Sequence, residues 1–262
     1  MHYLFDEWGD IKKRARGRSL FIFLDFDGTL TPIVKTPDKA ELSAKFRTLL
    51  GKIAESQNLK LAFISGRGLA DIKNKIGIKN AIYSGNHGLE IEGPKIKFSL
   101  FSLPGYRKTL ERIKNDLKQN ISSVRGIFVE DKGLSLSLHY RQAEKKLIPR
   151  IKTIFHETVI SYLAGNKIKV RSGKMVLEIR PPVEWDKGRV VLWLLARQIF
   201  AAKKEDVLPV YIGDDVTDED AFKALRNKGL TIFVGKPKES YARYYLKSPN
   251  EVMRFLRDIS GA

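Results

Sequence analysis

The stretch Leu20-Phe21-Ile22-Phe23-Leu24-Asp25-Phe26-Asp27-Gly28-Thr29-Leu30 decides how the chain reads. An unbroken apolar run suits a strand buried on both faces, and such strands belong to parallel sheets. The run stops at two aspartates and a glycine. Carboxylates therefore stand at the carboxyl edge of the sheet, where open α/β folds bind their ligands. A second stretch has the same form: Pro209-Val210-Tyr211-Ile212 leads into Gly213-Asp214-Asp215-Val216-Thr217-Asp218-Glu219-Asp220. Carboxylates crowded in this way repel one another unless a cation lies between them. Magnesium, which takes oxygen ligands in near-octahedral geometry, is the economical choice.

Around the first stretch, strands and helices alternate. Leu42, Phe46, Leu49, Leu50 and Ile53 fall on one helical stripe within residues 40–56. Residues 59–64 read as a second buried strand, 69–76 as a helix capped by Gly77, and 81–83 as a third strand. That alternation predicts a parallel sheet covered on both faces. From Pro104 the pattern changes. A helix is predicted to Asn120, then strands 127–131 and 134–140 about Lys132-Gly133. A helix over 143–163 follows, then strands 167–171 and 175–180 about Ser172-Gly173. Leu134, Leu136 and Leu138 alternate with Ser135, Ser137 and His139, which predicts a sheet with one wet face.

After Pro181-Pro182 and Trp185 the first pattern resumes, with helix 188–200, strand 210–212, helix 217–226, strand 230–234 and a closing helix 250–259. The expected fold is α/β, a Rossmann-like parallel-sheet core in two parts, 1–102 and 185–262. An α+β cap domain, 103–184, interrupts it, as insertions do at exposed loops. A cleft between two domains is a natural place for a small ligand.

Composition narrows the chemistry. The 262 residues contain no cysteine, which excludes disulfides, zinc-thiolate sites and a thiol nucleophile. Hydrophobic residues make up 43%, enough for a substantial core. The net charge of +18 raises nucleic acid or a membrane surface as a partner. The charges are scattered, however, with no stripe of Lys and Arg interleaved with aromatics, and a solvated lysine-rich surface is the simpler reading. The apolar run at 20–24 is shorter than the roughly 7–15 residues of a signal-peptide core. The run at 190–196 is far below the roughly 18 that span a bilayer. The expectation is a cytoplasmic monomer without nucleic-acid or membrane partners.

Three further features bear on chemistry. Ser65-Gly66-Arg67 follows a strand and precedes a helix, so a hydroxyl and backbone N–H groups could cradle an anion. Lys187, in Trp185-Asp186-Lys187-Gly188, opens another helix, where an ammonium could neutralise a nucleophile and a phosphate together. Asp218 is read as support for a metal held by its neighbours, and Glu219 and Asp220 as caps of the following helix. Each of these is weak alone, since surface ion pairs and helix caps account for the same residues.

In combination the order is specific. DFDGTL and GDD-x-TDE resemble motifs of the haloacid dehalogenase-like phosphohydrolase superfamily. Adding SGR, the Gly85–Gly88 segment, EDKGLSLSLHYR, LEIRP, WDKG and GDDVTDEDAF, the chain resembles the trehalose-6-phosphate phosphatase family from about Leu20 to Val234. That resemblance implies Asp25 as nucleophile forming an aspartyl-phosphate and Asp27 as acid and base. It implies Mg2+ held by the side chains of Asp25 and Asp214 and the backbone carbonyl of Asp27, with Asp218 in support. Phosphate would meet Asp25, Ser65, Gly66, Arg67 and Lys187. A small sugar phosphate would be read by Glu130, Lys132, Arg141 and Glu178 of the cap, with Asn86 and His87 as neighbours, and cap closure would exclude water. Other glycosyl phosphates, such as sucrose phosphate or mannosylglycerate phosphate, remain open as substrates. So does a non-catalytic phosphosugar- or nucleic-acid-binding protein.

Overall fold

The computed structural model describes residues 1–99, 105–202, 206–236 and 239–261, and at 199–202 only the backbone. The predicted helix start at Pro104 lies outside the described residues. The chain opens with β1 (His2–Tyr3), α1 (Trp8–Ala15), β2 (Ser19–Leu24), α2 (Ala44–Glu55), β3 (Leu59–Ile64) and α3 (Leu69–Ile76). It continues through β4 (Ile82–Gly85), β5 (Glu90–Gly93), β6 (Ile96–Ser99), α4 (Tyr106–Asn120), β7 (Phe128–Asp131) and β8 (Leu136–His139). Next come α5 (Ile148–Ala164), β9 (Lys169–Gly173), β10 (Val176–Arg180), α6 (Lys187–Ala202) and β11 (Val207–Gly213). It closes with α7 (Glu219–Leu225), β12 (Leu230–Val234), β13 (Tyr244–Leu246) and α8 (Pro249–Ser260).

Two compact units result, one of Met1–Ser99 with Trp185–Ala262, the other of Leu100–Glu184. The first is built on a nine-stranded sheet of order β1-β13-β12-β11-β2-β3-β4-β5-β6. Its strands run parallel from β1 to β4, and β5 and β6 extend it as an antiparallel edge. The alternation of β2 explains its central place. Ile22 and Leu24 join one core with Phe46, Leu50, Phe63 and Phe255, while Phe21 and Phe23 join the other with Val190, Tyr211 and Phe222. A strand fully covered on both faces has no solvent side to tolerate a polar residue, which is why its sequence is continuously apolar.

The sheet order also positions the site. From β2 the chain moves outward to β3 and β4 on one side, while β11, reached much later, lies on the other. Loops that leave β2 and β11 diverge above the sheet and open a crevice at their carboxyl ends, a topological switch point.

Several sequence-based boundaries move for local reasons. The helix expected from residue 40 begins at Ala44, because Ser43 caps it by accepting a hydrogen bond from Phe46 N at 3.3 Å. The helix expected from residue 143 begins at Ile148, behind a short 3-10 turn at Lys145–Leu147. The turn expected at Ser172-Gly173 is instead Lys174-Met175: Val176 pairs with Gly173, and Met175 takes a φ of 64°. The helix expected over 217–226 divides into a 3-10 turn at Val216–Asp218 and α7.

The second unit packs α4 and α5 on a four-stranded antiparallel sheet of order β7-β8-β10-β9. Leu136, Leu138, Leu177 and Ile179 face the helices. The opposite face is not wet throughout, as alternation suggested: Ser135, Ser137 and Glu178 are buried. Asp131, at the end of β7, accepts hydrogen bonds from Arg107 (2.7 and 2.8 Å) and Lys114 (2.9 Å). The Arg107 hydrogen bonds, aided by Lys114, hold its carboxyl well below the usual carboxylate range. A depressed folded-state pKa contributes stability above the unfolded value that disappears as pH falls through the folded one. Asp131→Asn is therefore expected to destabilise the protein at pH 7, with the gap to wild type closing in acid. Urea titrations across pH check this, and a gap independent of pH would contradict it.

Candidate active site

The β2 ladder ends with Asp25 N donating to Ile212 O at 3.0 Å, so the first acidic turn starts where β2 and β11 part. Phe26 turns into the core, and its carbonyl accepts from Leu30 N and Thr31 N at 3.0 and 3.2 Å. This tight loop needs Gly28 at a φ of 87°. A Cβ there would lie 2.3 Å from a carboxylate oxygen of Asp214. The two acidic turns, far apart in sequence, are thus in direct contact.

Asp25, Asp214 and Asp218 are all buried and offer oxygens within 4.8 Å of one another. Lys187, also buried, opens α6 and donates to Asp25 Oδ1 and Asp218 Oδ1, both at 2.7 Å. Burial works against its charge, but the Coulombic pull and hydrogen bonds of Asp218 and Asp25 outweigh it and raise its pKa. Burial pushes the Asp25 carboxyl well above its ordinary value; Lys187 opposes this, while Asp218 and Asp214 add to it. Three carboxylates facing one ammonium leave surplus negative charge in a buried place.

Asp218 is a hub. Oδ1 accepts from Lys187 and from Tyr211 Oη (2.7 Å), and Oδ2 accepts from the backbone N–H groups of Asp214 (3.0 Å) and Asp215 (2.9 Å). Its lone-pair positions are taken by these donors. Oxygens for a metal would come from Asp25 and Asp214 instead, and their hard, anionic character fits a divalent cation such as Mg2+. Thr29 Oγ1 lies between these two carboxylates, 3.5 Å from each.

The other sequence candidates of this unit gather nearby. Ser65 is buried at the end of β3, and its Oγ accepts from Arg67 N at 3.2 Å. The guanidinium of Arg67 makes ion pairs, as surface ion pairing would have it, and leaves the backbone N–H groups of the turn to cradle an anion. It donates to both oxygens of Asp27, to Asp71 and to Pro37 O, each at 2.7 Å, and is itself buried. A planar fork held on all sides keeps Asp27 in one orientation. Asn86 N donates to Arg67 O and His87 N to Ser65 O. Both residues have positive φ, 49° and 55°, a strained backbone of the kind found at functional sites. A Cβ at Gly66 would lie 2.4 Å from His87 Nε2, so the ring rests against the Ser65–Arg67 turn.

In the second unit, Glu130 and Lys132 lie on or beside β7 and Glu178 on β10, the two strands that flank β8. Glu178 accepts from Lys132 (3.1 Å) and Ser135 (3.4 Å) through Oε1 and from Arg180 (2.6 Å) through Oε2. Glu130 pairs with His139 at 2.7 Å. Arg141 falls past the end of β8, exposed, and donates to Lys174 O. Arg180, His139 and Tyr211 were not singled out by sequence reasoning. The first two were detectable, since Arg180 stands two residues after Glu178 and His139 two after Ser137.

The sheet order with its paired acidic turns defines a haloacid dehalogenase-like fold. A haloacid dehalogenase-like hydrolase from Bacteroides thetaiotaomicron superposes with a TM-score of 0.62 at 20% identity, covering 92% of this chain and 99% of that one. More specifically, the trehalose-phosphatase family profile matches residues 23–250, and the chain belongs to that family. Trehalose-phosphate phosphatase B of Arabidopsis thaliana is 37% identical over 97% of this chain and 68% of its own length. The C-terminal domain of C. albicans trehalose-6-phosphate phosphatase gives a TM-score of 0.83 at 26% identity, covering 97% of this chain and 96% of that one.

The hub predicts unequal costs. Asp218→Asn removes a buried charge partner and should destabilise by about 3–5 kcal/mol. Tyr211→Phe removes one hydrogen bond and should cost about 1 kcal/mol. Urea unfolding of the two variants checks the ranking, and equal losses would contradict it.

Proposed function

We propose that this chain is a magnesium-dependent phosphoric monoester hydrolase that converts trehalose 6-phosphate to trehalose and phosphate through an aspartyl-phosphate. The observation that carries the reading is the buried Asp25–Lys187–Asp218 network against Asp214 at the switch point of a trehalose-phosphatase family member. Membership of the family supports the substrate.

In this reading a carboxylate oxygen of Asp25 attacks phosphorus, and the bond from phosphorus to the sugar oxygen breaks. Asp27 gives its proton to that leaving oxygen. It then takes a proton from water, whose oxygen attacks phosphorus and releases phosphate from Asp25. Two anions at about 4 Å repel by about 4 kcal/mol at an effective dielectric of 20, so the approach needs opposing charge. Lys187 supplies one positive charge, and the N–H groups of the Ser65–Arg67 turn supply fixed dipoles. Asp25, Asp214 and the carbonyl of Asp27 would hold Mg2+, which when bound would offset phosphate charge as a Lewis acid. Arg67 keeps Asp27 oriented until it exchanges that pairing for the leaving oxygen. Glu130, Lys132 and Glu178 read the sugar through charge-assisted hydrogen bonds to its hydroxyls.

The decisive test is phosphate release from trehalose 6-phosphate, sucrose 6-phosphate, mannosylglycerate phosphate and glucose 6-phosphate, each with Mg2+ and with chelator. Trehalose 6-phosphate is expected to give the highest kcat/KM, and chelation to abolish turnover. Preference for a hexose monophosphate, or full activity under chelation, would overturn the proposal.

A further inference from the structure

The face of the four-stranded sheet turned away from α4 and α5 carries two adjoining rows of different chemistry. Pairing across β7, β8, β10 and β9 puts Glu130, Ser137, Glu178 and Arg171 directly opposite one another. Two residues along each strand, Phe128, His139, Val176 and Gly173 form the next row. Residues two apart on a strand share a face and stand about 7 Å apart. The first row is polar. The second is aromatic and aliphatic, and it ends at a glycine with no side chain.

Phe128 is 40% exposed and keeps one face of its ring against a neighbour. Its ring stacks on that of His139 with centroids 4.5 Å apart and planes 13° apart. His139 Nε2 is in turn 2.7 Å from Glu130 Oε2. The aromatic surface is thereby oriented by a residue of the polar row. In that same polar row, the buried Ser137 Oγ has no hydrogen-bond partner among the described residues. A buried hydroxyl left unpaired costs about 1–3 kcal/mol, a cost that a ligand hydroxyl, or the side-chain shift it causes, would relieve.

A pyranose ring matches this surface. It presents a face of C–H groups to an aromatic plane and a rim of hydroxyls to carboxylates. We propose that Phe128, backed by His139, is a specificity-determining platform on which a pyranose ring of the glycosyl phosphate stacks while the Glu130–Glu178 row takes its hydroxyls. This rests on the sugar-phosphate reading above and adds an apolar contact that none of the charged residues supplies. Such a platform distinguishes a glycosyl substrate from a small acyl phosphate, which has no ring to stack.

Steady-state kinetics of this 262-residue chain, wild type, Phe128→Ala and Phe128→Tyr, with Mg2+ test the proposal, using trehalose 6-phosphate and acetyl phosphate. Phe128→Ala should raise KM for trehalose 6-phosphate about three- to tenfold, within the range of aromatic stacking energies. Its kcat/KM for acetyl phosphate should stay unchanged, and Phe128→Tyr should restore the wild-type KM. A KM for trehalose 6-phosphate within twofold of wild type in Phe128→Ala would overturn the platform. Equal losses on both substrates would do the same, since they would report a structural role. Failure of the underlying reading looks different: wild type itself would turn over acetyl phosphate and no glycosyl phosphate.

Discussion

One buried ammonium organises the catalytic unit. Lys187 sits between Asp25 at the end of β2 and Asp218 beyond the end of β11, 2.7 Å from each. Removing two carboxylates and an ammonium from water is costly unless every group is paired. Here Asp218 meets that demand with four donors: Lys187, Tyr211 and two backbone N–H groups. Satisfied in full, it is rigid, and it fixes the turn that presents Asp214. The remaining imbalance of charge falls on Asp25 and Asp214, the pair whose oxygens would hold a cation.

That concentration of negative charge explains a contradiction in the composition. A chain of net charge +18 places an acidic cluster at its functional centre. The surplus of lysine and arginine is spread over the surface and draws in anions without selecting among them. Selection would come from the oriented groups of the second unit, where Glu178 is held by Lys132, Ser135 and Arg180.

The legible parts of the sequence are those where local pattern and tertiary place agree. β2, β3 and β12 are dominated by apolar residues, as strands covered on both faces over most of their length require, and α3 ends at Gly77 with the αL geometry its C-cap requires. β5, β6, β1 and β13 were not visible: they are four residues or fewer, half polar in the case of β5 and β6, and exist through ladder bonds to their neighbours. Asp25, Asp214, Asp218 and Lys187 could be named from motifs, but their convergence follows from β2 and β11 being neighbours, which no local pattern encodes. Arg67 shows the limit from the other side. Its place beside Ser65 suggests either an anion contact or an ion pair, and only the fold shows which acids lie in reach of its guanidinium, Asp27 and Asp71, together with Pro37 O.

The most direct measurement is mass spectrometry of enzyme acid-quenched within the first turnover of trehalose 6-phosphate and digested. A phosphoryl group on the peptide containing Asp25, missing in Asp25→Asn, is the predicted result. Phosphate release at the full wild-type rate with no label on that peptide would contradict the account.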